Sequence, residues 1–167
     1  LEEQAVPLRA LDEALRQAGY PVSISMGIAG EATDEQLDAL DWEAAFVRWH
    51  EPEIHDVYFL ERAAASEEDA KALLGQAIKA ANNHPESADR LIVADHLRRT
   101  RTVYEVQILP ALLDDEDHPA WGALDILLRR LAEETDGLIH AEGGGFFDAE
   151  GEPLLSEEEP DEEEAGT

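Results

Sequence analysis

Seven consecutive residues, His50-Glu51-Pro52-Glu53-Ile54-His55-Asp56, place two imidazoles and three carboxylates in one short stretch. Neutral imidazole and carboxylate are good ligands for zinc or nickel. His50, His55 and Asp56 are therefore the candidate ligands of a metal-binding protein or a small metal-dependent enzyme. The spacing matches no recurrent zinc pattern, and Pro52 marks a turn, so a solvated hairpin accounts for the same residues. Asp114-Asp115-Glu116-Asp117-His118 is dense in oxygen ligands but lacks the alternation and glycine of a calcium loop. Acids ahead of Pro119 suit the N-terminus of a helix instead. Asp148-Ala149-Glu150-Gly151-Glu152 opens like a calcium loop without its later ligands, which reads as a turn. Asp95 and His96 are adjacent; on a strand they point to opposite faces and cannot act together. His140 and Glu142 share parity and form a minimal acid–base pair. One basic cluster, Arg98-Arg99-Thr100-Arg101, suits a phosphate, a partner's carboxylates or the chain's own acidic tail. No nucleophile elbow, phosphate-binding glycine loop or dinucleotide fingerprint occurs, and no cofactor is called for.

The elements that would position these residues follow from periodicity. Leu8, Leu11 and Leu15 recur at helical spacing between Pro7 and Gly19. Val22, Ile24, Met26 and Ile28 alternate with small residues as in a half-buried strand. Thr33 and Gln36 have the spacing of a capping box. Residues 43–50 fit either a helix or a strand turning at Glu51-Pro52-Glu53. Residues 55–61 alternate as a strand, with Val57 and Phe59 opposite Tyr58 and Leu60. Ser66 then caps a helix with the stripe Ala70, Leu73, Leu74, Ala77, Ile78 and Ala81. Residues 91–97 and 102–109 read as two strands of a hairpin turning at the basic cluster, with Tyr104, Val106 and Ile108 on one face. Pro119 leads a helix that buries Trp121, Leu124, Leu128 and Leu131 and ends at Gly137. Residues 138–140 and 146–147 flank Gly143-Gly144-Gly145 as a last hairpin.

Residues 54–148 thus run β-α-β-β-α-β, the order of a ferredoxin-like antiparallel sheet with two helices on one face, an α+β fold. The expected organisation is an N-terminal helix–strand–helix extension over 1–53, a ferredoxin-like core over 54–152, and an unstructured acidic tail over 153–167.

Charge narrows the function. Forty acids against twelve bases give a net charge of −28 over 167 residues. Residues 149–167 hold nine acids; without them 31 acids face the same 12 bases, a net −19. Phosphate backbones are repelled by such a surface, so direct nucleic-acid binding is not expected. Simple solubility, a salty cytoplasm, or attraction to a basic protein each account for the acidity. The absence of cysteine excludes disulfides and thiolate chemistry. No apolar run approaches the ~20 residues of a membrane span, and the expected setting is cytoplasmic. A homodimer is compatible with everything in the sequence.

Four segments stand out in order: Tyr58-Phe59-Leu60-Glu61, Ser66-Glu67-Glu68-Asp69, Thr102-Val103-Tyr104 with Ile108-Leu109, and Gly145-Phe146-Phe147-Asp148. In order and spacing they resemble the bacterial regulator of ribonuclease E activity, B-type, over about residues 55–150. The family's tryptophan in the glycine-aromatic turn is absent, and residues 1–50 have no counterpart. The resemblance implies a ferredoxin-like fold with an acidic tail that inhibits a ribonuclease by binding it. The expected function is a non-catalytic acidic interaction module, an inhibitor or regulator of a basic protein partner such as a ribonuclease. Arg98, Arg99 and Arg101, with Glu157, Glu158, Glu159 and Asp161 of the tail, are its expected partner-binding residues.

Overall fold

The computed structural model describes residues 5–141 and 144–156. Helix α1 (Leu8–Gln17) starts after extended Pro7, and Gly19 at φ +89° turns the chain into β1 (Val22–Ser25). Leu8, Leu11 and Leu15 are fully buried along one stripe of α1, each contributing about 1.5–3 kcal/mol of apolar burial. All four β1 residues are buried. Ile28 leaves the expected alternation: it is fully exposed in a 3₁₀ turn, Gly27–Ala29. Thr33 and Gln36 form the capping box that starts α2 (Asp34–Asp38). The ambiguous residues 43–50 resolve as β2 (Ala44–Trp49), which turns at Glu51-Pro52 into β3 (His55–Ala64).

Strands β1, β2, β3 and β4 (Thr102–Ile108) form one antiparallel sheet in sequential order. A ferredoxin-like sheet requires a different order, so the α+β class holds while that topology is not the one observed. The reason lies in residues 91–97. They form no strand but the middle of α4 (Ala88–Arg99), which follows α3 (Glu68–Asn82). Ser87 accepts a hydrogen bond from the Arg90 N–H, Asp89 occupies the first turn and Arg98 and Arg99 the last, all favourable to the helix dipole. Val93, Ala94 and Leu97 are buried at helical spacing, while Leu91 is 72% and Ile92 56% exposed. The helical pair is inserted at the tip of the β3–β4 hairpin, where Ala64 pairs with Thr102 and the Ala65 N–H reaches Arg101 O at 2.7 Å. Ser66 does not cap α3; Glu67 precedes the helix, and its carboxylate accepts from the Ala64 N–H instead.

After α5 (Pro110–Leu113), helix α6 (Trp121–Thr135) packs beside α1 on the sheet. Its buried residues are Ala123, Leu127, Leu131 and Ala132; of the expected face Leu131 is among them, while Trp121 and Leu124 pack on the core only partly buried. Asp136, in the left-handed region at φ 51°, ends it one residue before Gly137. Two buried hydrogen bonds tie the layers: Trp42 Nε1 donates to Val6 O and the Tyr58 hydroxyl to Ala120 O, each at 2.6 Å. Burial pushes the Tyr58 phenol well above its ordinary pKa, keeping it a donor.

A second sheet joins β5 (Ile139–Ala141), β6 (Gly145–Phe147) and β7 (Pro153–Leu155). Phe146 and Leu155 pack with Ala77 and Ala81 of α3 and Val93 and Leu97 of α4 as a separate core. Gly145 is required there: at φ +95° a Cβ would stand 2.0 Å from Leu155 O. Residues 153–155 therefore belong to the fold and not to the acidic tail, and residues 22–49 supply half of the main sheet, not an extension. No helix among the described residues is long and apolar enough to cross a membrane. Leu155→Ala is expected to cost about 2–3 kcal/mol in urea denaturation; a loss under about 0.5 kcal/mol would place β7 outside the cooperative fold.

Candidate functional site

The candidate metal ligands do not converge. Between β2 and β3 the register shifts: Val47 pairs with Tyr58 but Arg48 with Asp56, leaving Val57 as an extra residue. This bulge inverts the facing of every residue before it. His55, opposite Trp49, goes to the side of the sheet that carries α1 and α6. Asp56 goes to the other side, where Arg48 Nε holds its carboxylate at 3.0 Å. His50 leaves the end of β2 towards Ser23 of β1. No group of three or more potential metal-ligating side chains exists among the described residues.

His50, Ser23 and Glu31 meet at an open cleft of about 680 Å³, lined also by Arg16, Tyr20 and Glu51. The Ser23 hydroxyl lies 2.7 Å from His50 Nε2 and donates to Glu31 Oε1 at 2.8 Å. Local structure brings Glu31 there: the 3₁₀ turn folds the chain back so that Glu31 bridges to Ser25 and the Ala32 N–H reaches Ile24 O. Serine, histidine and acid invite comparison with a nucleophilic triad. In a triad, however, the acid holds the histidine's far nitrogen and leaves the near one to take the serine proton. Here Glu31 stands 3.7 Å from the same Nε2 and itself accepts the hydrogen bond from the serine hydroxyl. His50 then donates to Ser23, so the imidazole does not stand as that hydroxyl's base and the triad order is absent. The trio is a satisfied polar cluster. Arg16 is likewise engaged, its Nε donating to Asp12 at 3.0 Å.

His55 finds an unanticipated partner, His118, with Nε2 atoms 3.2 Å apart. The neighbouring bonds assign the protons. The Ala120 N–H donates to His118 Nδ1 at 3.0 Å, so the His118 proton sits on Nε2 and is donated to His55. His55 in turn donates from Nδ1 to Glu53 O at 3.1 Å. The two Nε2 atoms thus face each other, and no third potential ligand joins them among the described residues. Trp49 packs edge-on against His118, ring centroids 5.1 Å apart. This relay closes the β2–β3 turn against the segment leading into α6. Its one sequence signal was a histidine beside Pro119, 63 positions from His55.

The basic cluster is not a hairpin turn. Arg98 and Arg99 end α4, Arg99 bound to Asp95 at 2.8 Å, and Arg101 sits in the short link to β4. Glu157, Glu158, Glu159 and Asp161 lie outside the described residues, as does Glu142. His140 stacks on Phe146 at 4.3 Å. Asp115 and Asp148 serve turns, accepting backbone N–H groups of Asp117 and of Glu150 and Glu152. Asp95 and His96 lie on α4, not on a strand.

These features define an α+β protein with an antiparallel main sheet. Neither family models, nor curated proteins, nor solved structures show a match to this chain.

One titratable group has a consequence for stability. Burial, and then the charge of Arg99, hold His96 below its ordinary pKa against the pull of Asp136 and Asp95. The unfolded chain takes the proton near pH 6.5 and the folded chain only at lower pH. Stability contributed by neutral His96 is therefore present above about pH 6.5 and lost as pH falls through the folded value. On going from about pH 7.5 to about pH 5, His96→Gln should lose less of its urea midpoint than the parent protein. Parallel pH profiles would remove His96 from this role.

Proposed function

We propose that this protein is a non-catalytic interaction module that presents an acidic surface to a basic segment of a protein partner. One observation carries the reading: much of the chain's scarce positive charge is already neutralised internally. Arg9, Arg16, Arg48, Arg99, Arg129 and Arg130 each pair with a carboxylate of the same chain. Arg9 is gripped by both Asp34 and Asp38, and it holds the Asp38 carboxyl below its ordinary pKa. The surplus of acids, from a net charge of −28, therefore faces solvent with little cationic relief. Such a field speeds association with a cationic partner and turns away phosphate backbones. The polar cluster at Ser23 supports the non-catalytic part, since its hydroxyl and imidazole are committed to each other.

The reading is tested with a fluorescein-labelled lysine-rich peptide in anisotropy titrations. Between about 0.1 and about 1 M salt the Debye length falls from about 10 Å to about 3 Å. Binding is expected at the lower salt and should weaken by at least about tenfold at the higher. Absence of binding at low salt, or binding indifferent to salt, would overturn the proposal.

A further inference from the structure

We infer that the basic segment docks on the face of the four-stranded sheet turned away from α1 and α6, over Phe46 and Phe59, with an arginine between Glu61 and Glu105. This inference rests on the reading of the protein as an acidic interaction module and assigns that reading a place and a chemistry.

The register defines the face. Ala45, Val47, Tyr58 and Leu60 point into the core beneath the helices. Their neighbours of opposite parity, Phe46, Phe59, Glu61 and Glu105, point the other way. Phe46 and Phe59 are direct cross-strand partners with ring centroids 4.8 Å apart, and both remain partly exposed. Two large aromatic rings left partly in water on a sheet face are an unspent apolar surface.

Beside them, Glu61 stands directly opposite Glu105. Like charges in that position destabilise a sheet, and among the described residues neither carboxylate has an ion pair with a base. The strands bring one base to this side, Arg48, and it is bound to Asp56. Gln107 donates to Glu105 Oε1 at 3.1 Å, a neutral bond that leaves both charges in place. Asp69, from the first turn of α3, lines the same small crevice as Glu61 and Glu105 and adds a third carboxylate.

Charge and shape together specify the occupant. A guanidinium presents a planar fork of donors to two carboxylates at once and is less strongly hydrated than an ammonium. It also packs favourably on aromatic faces. Phe59 and Glu61 are two residues apart on β3, about 7 Å along the strand. One apolar side chain and one arginine on the same face of a partner's segment would meet both. Docking removes the repulsion that the free protein carries, so binding and relief of strain act in the same direction.

The test uses the full chain and a fluorescein-labelled amphipathic peptide of Leu, Ala and Arg, with a scrambled peptide of the same composition as control. The parent protein should bind the amphipathic peptide more tightly than the scrambled one at low salt. Glu61→Gln with Glu105→Gln should weaken that binding by about tenfold or more, the scale of a charge-assisted contact. Glu13→Gln with Glu133→Gln removes equal charge from exposed sites on α1 and α6 and should change it less than about twofold. The first pair should also melt at or above the parent temperature, because a like-charge contact has gone; a lower melting temperature would contradict the repulsion on which the inference stands. Equal losses in the two pairs, or equal affinity for the scrambled peptide, would overturn this docking face while leaving the acidic-module reading in force. A parent protein that binds neither peptide would overturn both.

Discussion

One extra residue, Val57, determines what each face of the main sheet can do. Without the bulge, strict alternation would place His55 on the outer face and Asp56 on the inner one. With it, Val57 and Tyr58 both enter the core, each fully buried, and the residues before them exchange sides. His55 is thereby delivered to His118 and Trp49, and Asp56 to Arg48. Just beyond the bulge, the Tyr58 hydroxyl reaches Ala120 at the threshold of α6. The histidine relay, the aromatic contact and the tyrosine bond all secure the same junction between sheet and helix.

Away from that junction the protein is built around an interrupted hairpin. β3 and β4 pair closely up to Ala64 and Thr102, and the whole α3–α4 unit is threaded between them. That unit cannot bury its apolar stripe on the main sheet, whose inner face is already occupied by α1 and α6. It finds cover from Phe146 and Leu155 of the small second sheet. The two cores are linked through the chain itself, since α6 leads directly into β5. This arrangement leaves the outer face of the main sheet only partly covered, by the first turns of α3 and, at Phe46, by the Gly27 turn, with the aromatic pair half-buried.

Electrostatics and architecture bear on the same surface. Most arginines with an ion pair bind an acid nearby in space on their own helix or neighbouring strand, so they stabilise locally and contribute little outward field. Pairs such as Arg99–Asp95 and Arg130–Glu134 follow the i, i+4 spacing that a helix surface favours. What remains is a surface on which carboxylates outnumber bases, and on one sheet face carboxylates adjoin two half-buried aromatic rings. A cation alone would satisfy part of that surface, and an apolar group alone another part.

Much of the secondary structure was legible in residue order, because local rules decide it. The leucine spacing of α1, the Thr33–Gln36 capping box, the strands expected at 55–61 and 102–109 and the glycine hairpin before Phe146 follow from periodicity and caps. The acidity and the exclusion of thiol chemistry were equally plain. Residues 91–97 misled because Leu91-Ile92-Val93 is rich in strand-forming side chains, while the Ser87 cap and a partner core in β6 and β7 turn it into a helix. β7 was hidden in an acidic segment because only packing against α4 makes Leu154 and Leu155 worth burying. The candidate site shows the limit most clearly. Sequence proximity grouped His50, His55 and Asp56, but strand neighbours face opposite sides, the bulge decides which side each takes, and the partners they find lie on β1, ahead of α6 and on β2. Local sequence determined which elements form and how charged they are; tertiary structure decided which side chains meet, because strand register depends on pairings with residues distant in the chain.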